Sequence, residues 1–178
     1  DVSTTAWYYS ELSTAAQMNI FNGYGDGTMG PNRSITRQEA MVVIARAFAV
    51  PDGTAADIQA FRDASSVGSW AVAKVGGLVK AGIVNGDNGS LHPTASITRA
   101  EIAQMLYNLG LQFCSDAAAL PASGRVIYTG AAPLTADAFT GTLYLGGPAG
   151  RDLGGMNITG TLVVRTDPNG TVTVGGTV

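Results

Sequence analysis

The chain has 178 residues, 46% of them hydrophobic and 13% charged, with a formal net charge of -3. This composition excludes a disordered chain and leaves room for one medium domain or two small ones. The negative balance offers no basic field for nucleic acid, and no apolar run approaches the roughly 18–20 residues of a membrane span.

Cys114 is the single cysteine, so no internal disulfide forms. With one Cys and one His, a zinc site of the usual kind cannot be built, and no metal or other cofactor is expected. His92 lies in a Gly-rich turn, Gly89-Ser90-Leu91-His92-Pro93, and reads as a turn residue, not a general base. Residues 1–10 lack the basic start and apolar core of a signal peptide, as a mature secreted chain also would.

Self-similarity organises the first two-thirds. Trp7 to Gly23 recurs as Trp70 to Gly86, 63 positions on (7 to 70). Pro31, Thr36, Arg37 and Glu39 recur as Pro93, Thr98, Arg99 and Glu101, 62 positions on (37 to 99), so the second loop is shorter by one. Asp1 recurs as Asp63, which suggests that the chain opens at the start of a repeat. In each copy the spacing predicts an aromatic-led helix, over 7–19 and 70–81, with Gly82 as a C-terminal stop. Turns follow at Asn22-Gly23 through Thr28 and at Asn85-Gly86 through Ser90, where Asn-Gly and Asp-Gly supply positive φ.

The second helix of each copy opens with a capping box. Thr36 and Thr98 are the N-caps, and Glu39 and Glu101 return a bond to the cap backbone, so structure accounts for all four. Arg37 and Arg99 have no capping role, and the macrodipole disfavours a cation at the first helical position. A guanidinium beside free helix N–H groups suits an anion, and both copies repeat the placement. The alternative is a solvent-exposed Arg in a local ion pair.

The ordered string of Asp1-Val2…Trp7, Asn22-Gly23-Tyr24-Gly25-Asp26-Gly27-Thr28-Met29-Gly30-Pro31 and Ile35-Thr36-Arg37-Gln38-Glu39 resembles the S-layer homology domain. Its second copy runs from Phe61-Arg62-Asp63 through Trp70 and Gly82-Ile83-Val84-Asn85-Gly86 to Ile97-Thr98-Arg99-Ala100-Glu101. The resemblance implies helical modules, usually in three tandem copies around a pseudo-threefold bundle, that bind secondary cell-wall polymers often bearing pyruvate ketals. It implies a carbohydrate groove at Arg37 and Arg99, with Trp7, Trp70, Gly23, Gly86, Asp26 and Asp87 beside them. For the two Trp residues, packing at a helix start is an equal alternative. Two repeats instead of three imply self-association or a third, upstream repeat. Copy two lacks a counterpart of Tyr24, and Gln38 replaces the usual Ala in copy one.

After Leu111 the texture changes. Residues 114–124 read as a linker, and alternating runs at Arg125–Tyr128, Gly141–Leu145, Gly160–Val164 and Gly170–Val174 read as strands. Thr140-Gly141-Thr142-Leu143 recurs as Thr159-Gly160-Thr161-Leu162, 19 positions on (141 to 160). That period suits rungs of a β-solenoid, and an antiparallel hairpin sheet is the alternative.

The fold class is therefore α+β. S-layer homology repeats are expected at 1–60 and 61–113, a linker at 114–124 and a β-rich segment at 125–178. The expected function is a non-catalytic, extracellular anchor to an anionic wall polysaccharide. A self-assembling S-layer or fibre subunit is the alternative. A glycan-cleaving enzyme needs paired carboxylates, and the β region offers only Asp137, Asp152 and Asp167, with no Glu.

Overall fold

The computed structural model describes residues 1–134, 137–147, 151–153, 155–166 and 172–173. It divides into two compact units, Asp1–Asn108 and Leu109–Val178.

The first unit is helical, with α1 (Tyr9–Gln17), α2 (Arg37–Ala47), α3 (Ala55–Ile58), α4 (Val72–Lys80) and α5 (Arg99–Asn108). Helices α2 and α5 start where their caps dictate. The Thr36 N–H donates to Glu39 Oε2 at 2.6 Å while the Thr36 hydroxyl accepts from the Glu39 N–H at 3.4 Å. Thr98 and Glu101 make the same pair of bonds. Helices α1 and α4 start two residues later than their patterns suggest, and neither Tyr8 nor Ala71 makes a side-chain cap bond to the first N–H groups. Trp7 and Trp70 consequently lie in the turns ahead of the helices. Gly82, at φ +69, ends the second of these helices as a left-handed cap.

Helix α4 packs against α2 and α3. Met41 and Ala45 of α2, Ala71 at the cap of α4 and Val75 and Leu78 within it are all buried, as are Ile83 and Leu91. Gly76 and Gly77, poor residues for a helix interior, sit here for a steric reason. A Cβ on Gly77 would lie 2.1 Å from the Pro51 carbonyl oxygen, and one on Gly76 2.7 Å from that of Thr54. The two repeats are unequally covered. Helix α1 buries no residue and α5 only Met105, whereas α2 and α4 are buried along one face.

The second unit is a parallel β structure. Strands β1 (Leu111–Cys114), β2 (Ser123–Tyr128), β3 (Ala138–Gly147) and β5 (Asn157–Thr166) form one sheet in the order β1-β2-β3-β5. Strands β4 (Arg151–Asp152) and β6 (Val172–Thr173) form a second pair. Every strand pairing among the described residues of this unit is parallel, so the antiparallel hairpin alternative does not hold. Residues 114–124 are not a free linker either. Strand β1 runs to Cys114, a 3-10 turn covers Ala117–Ala119, and β2 begins at Ser123. Asp167, Gly170 and Val174 lie outside the described residues.

Register in this sheet is set by a glycine column. Gly124 pairs with Gly141, and Gly141 with Gly160, all at positive φ. A Cβ on Gly141 would lie 2.2 Å from the Gly124 carbonyl oxygen, and one on Gly160 2.1 Å from that of Gly141. One face then stacks Val126, Leu143 and Leu162 in line, over a core completed by Tyr128, Leu134, Phe139 and Leu145.

Candidate functional site

Each repeat carries the same aspartate clamp. Asp1 accepts the N–H groups of Met29 and Gly30 at 2.9 and 2.7 Å, and Asp63 accepts those of Leu91 and His92, both at 2.8 Å. Burial alone would raise the Asp63 carboxyl, but the two backbone bonds outweigh it and hold it below its ordinary value. Gly30 and His92 occupy the same left-handed position, at φ +56 and +51. His92 is thus held by its backbone, in keeping with a turn role. The clamp was readable in the sequence as the recurrence of Asp1 at Asp63, though its partners were not.

The Gly-rich loops account for four of the expected groove residues in structural terms. Gly23 and Gly86 are left-handed, and a Cβ on either would strike the carbonyl oxygen of Thr28 or Ser90. Asp26 accepts both the N–H and the hydroxyl of Thr28, which draw its carboxyl below the ordinary range. Asp87 exchanges backbone bonds with Ser90.

The two Thr-Arg arginines differ sharply. Arg37 does not stand at an open helix start. It is buried at 7% exposure, its Nε donates to the Leu91 carbonyl at 2.8 Å, and its guanidinium pairs with Glu101. The first α2 N–H groups are spent as well, from Arg37 to the Ala95 carbonyl and from Gln38 to that of Pro93. The Thr98 N–H, with help from the Thr98 hydroxyl and Arg37, keeps the Glu101 carboxyl below its usual value. Arg37 therefore joins the two repeats. Arg99 is exposed and has no hydrogen-bond or ion-pair partner among the described residues.

One cavity of about 1010 Å³ opens in this unit. Trp7 and Trp70 both line it, with Gly23, Tyr24, Arg33, Glu39 and Arg46. Trp7 is 88% exposed and Trp70 55%, so neither is a core residue. The Arg33 guanidinium lies 4.3 Å over the Tyr24 ring, and Trp7 meets Tyr8 edge-on. Of the expected carbohydrate-binding residues, the cavity gathers Trp7, Trp70 and Gly23 and leaves out Arg37, Arg99, Gly86, Asp26 and Asp87. Arg33 was missed because nothing recurs at its counterpart, Ala95. Among the described residues, no group of His, Cys, Asp or Glu could hold a metal ion.

Paired capping boxes, aspartate clamps and left-handed loop glycines define a tandem helical repeat. Residues 1–41 and 60–103 match the S-layer homology domain, and these two segments belong to that family. The chain is similar to the Surface-layer 125 kDa protein of Lysinibacillus sphaericus, with 35% identity over 108 residues, 58% of this chain and 9% of that protein. It is 32% identical to the S-layer protein EA1 of Bacillus anthracis over 113 residues, 61% of this chain and 13% of that protein. An amylopullulanase of Thermoanaerobacterium thermosulfurigenes is 32% identical over 110 residues, 60% of this chain and 6% of the enzyme. The chain thus spans a small part of each relative.

Proposed function

We propose that the paired repeats are a non-catalytic anchor that holds its protein on a bacterial cell wall by binding an anionic, pyruvylated wall polysaccharide. The observation that carries this reading is the pair of exposed tryptophans on one cavity, within a module of the S-layer homology family. Indole faces match the apolar CH faces of sugar rings, and a cleft with few polar groups fixes their orientation. Arg33, also exposed on the cavity wall, supplies a cation for a ketal carboxylate. Arg37, spent on Glu101, takes no part. Relatives named both as surface-layer proteins and as a glycan-degrading enzyme fit a module that is attached to different passengers. The location that follows is extracellular, at the wall. No helix of the described residues is long and apolar enough to cross a membrane.

The parallel sheets fit the first rungs of a β-solenoid. Successive strands lie in register, with a glycine column at 124, 141 and 160 and a β4–β6 pair that forms a second wall. We read this unit as passenger or spacer and assign it no part in binding.

Co-sedimentation with wall fragments, before and after chemical removal of the polysaccharide, tests the reading. The chain should sediment with intact fragments and not with stripped ones. Trp7→Ala with Trp70→Ala should weaken binding roughly tenfold or more, since exposed Trp anchors contribute about 1 kcal/mol or more each. Equal sedimentation with stripped fragments would overturn it.

A further inference from the structure

We infer that Gln38 is a positioning residue: through Gly68 it fixes the indole of Trp70, and with it the platform for a sugar ring, a role that rests on the polysaccharide reading above. Gln38 is the second residue of α2, half-buried, and its own N–H donates to the Pro93 carbonyl. Its side chain reaches the loop ahead of α4, where Oε1 accepts the Gly68 N–H at 2.9 Å. Thirty positions separate the two residues (38 to 68), so the bond ties the start of one helix to the approach of another.

Gly68 has a steric reason to be glycine. Its φ lies outside the left-handed region, so no turn conformation requires it. A Cβ there would lie 2.5 Å from Trp70 Nε1, 3.0 Å from Cδ1 and 3.2 Å from Cε2. The five-membered ring of the indole therefore occupies the space that a side chain at 68 would need. The Gly68 carbonyl accepts the N–H groups of Ala71 and Val72 at 2.8 and 3.2 Å, and so opens α4. With its N–H on Gln38 and its carbonyl on the helix start, Gly68 is held on both sides beneath the indole. Trp70 is still 55% exposed on the cavity wall.

The repeat does not copy this device. The counterpart of Gln38 is Ala100, 62 positions on (38 to 100), and that of Gly68 is Thr5, 63 positions back (68 to 5). Ala100 offers no side-chain acceptor. Thr5 carries the Cβ that the indole excludes at 68, and its N–H donates to Ser3 Oγ within its own loop. Trp7 meets Tyr8 edge-on instead. The two tryptophans are thus held by different means, Trp70 by a bonded stretch of backbone and Trp7 by a neighbouring ring. An aromatic platform oriented before binding avoids the entropy cost of ordering it on contact with the ligand.

Near-ultraviolet circular dichroism of the full chain without polymer, in a Trp7→Phe background, reads the fixed Trp70 indole as the one tryptophan band. Gln38→Met keeps side-chain length and helix preference but removes the acceptor, and should strip most of that band while the far-ultraviolet signal of the fold stays. Gln38→Glu keeps an acceptor oxygen and should retain the band. Gly68→Ala sets a methyl against the indole and should lose the band with Gln38 intact. With both tryptophans present, Gln38→Met should weaken binding of purified, pyruvylated wall polysaccharide about fivefold, the equivalent of one ordinary hydrogen bond. A band unchanged by Gln38→Met or Gly68→Ala, a band lost in Gln38→Glu, or wild-type polymer affinity in Gln38→Met would each overturn the inference. A wild-type chain that binds no wall polysaccharide would overturn the proposed function instead, and the spectra of the free chain would still decide whether Gln38 positions Trp70.

Discussion

At the scale of single residues, the repeat is held by charged groups aimed at backbone. Arg37 is a cation at a helix start, where the macrodipole opposes it by a few tenths of a kcal/mol. Glu101 and the Leu91 carbonyl offset this and its desolvation. Its position at the first helical residue was legible in the sequence. Its partner was not, because Glu101 sits in the other repeat and no local pattern joins them. The Asp63 clamp gives a pH prediction. A carboxyl lowered in the folded state contributes stability above its unfolded value, near pH 4, and loses it as pH falls through the folded value. Asp63→Asn should therefore destabilise the chain at neutral pH, and its gap from wild type should narrow between about pH 5 and pH 3. Denaturant midpoints across that range check this, and a gap constant with pH would contradict it.

At the scale of elements, local signals were most readable where side chains bond to nearby backbone. Both capping boxes could be seen as Thr-x-x-Glu, and α2 and α5 begin where those boxes place them. Boundaries without a cap were less readable, and α1 and α4 start past their tryptophans. Gly76-Gly77 reads locally as weak helix, and its reason, the close passage of residues 51–54, is tertiary. In the β unit the repeat of Gly141 at Gly160 was legible. Gly124 belongs to the same column, but its flanking residues differ and the spacing shrinks to 17 (124 to 141), which hid it. The column makes a sharp prediction. Gly141→Ala puts a Cβ 2.2 Å from the Gly124 carbonyl at φ +128, and should cost about 2 kcal/mol or more. Chemical unfolding followed by the far-UV signal of the sheet measures it. An unchanged midpoint would mean that the strands do not stack in this register.

At the scale of the whole molecule, the sequence showed the class of repeat and the α+β division but not which face of each repeat meets the other. That depends on Arg37 of one repeat meeting Glu101 of the other, 64 positions on (37 to 101), which no local pattern announces. The central claim is that the cavity bearing Trp7 and Trp70 binds wall polysaccharide. These are the only two tryptophans in the chain, so intrinsic fluorescence reports on this site without a label. Titration of the full chain with purified, pyruvylated wall polysaccharide should give a saturable change in tryptophan emission, which is lost when the polymer's ketal carboxylates are removed. A polymer that the chain binds by sedimentation while both tryptophans keep their free-state emission would contradict the account.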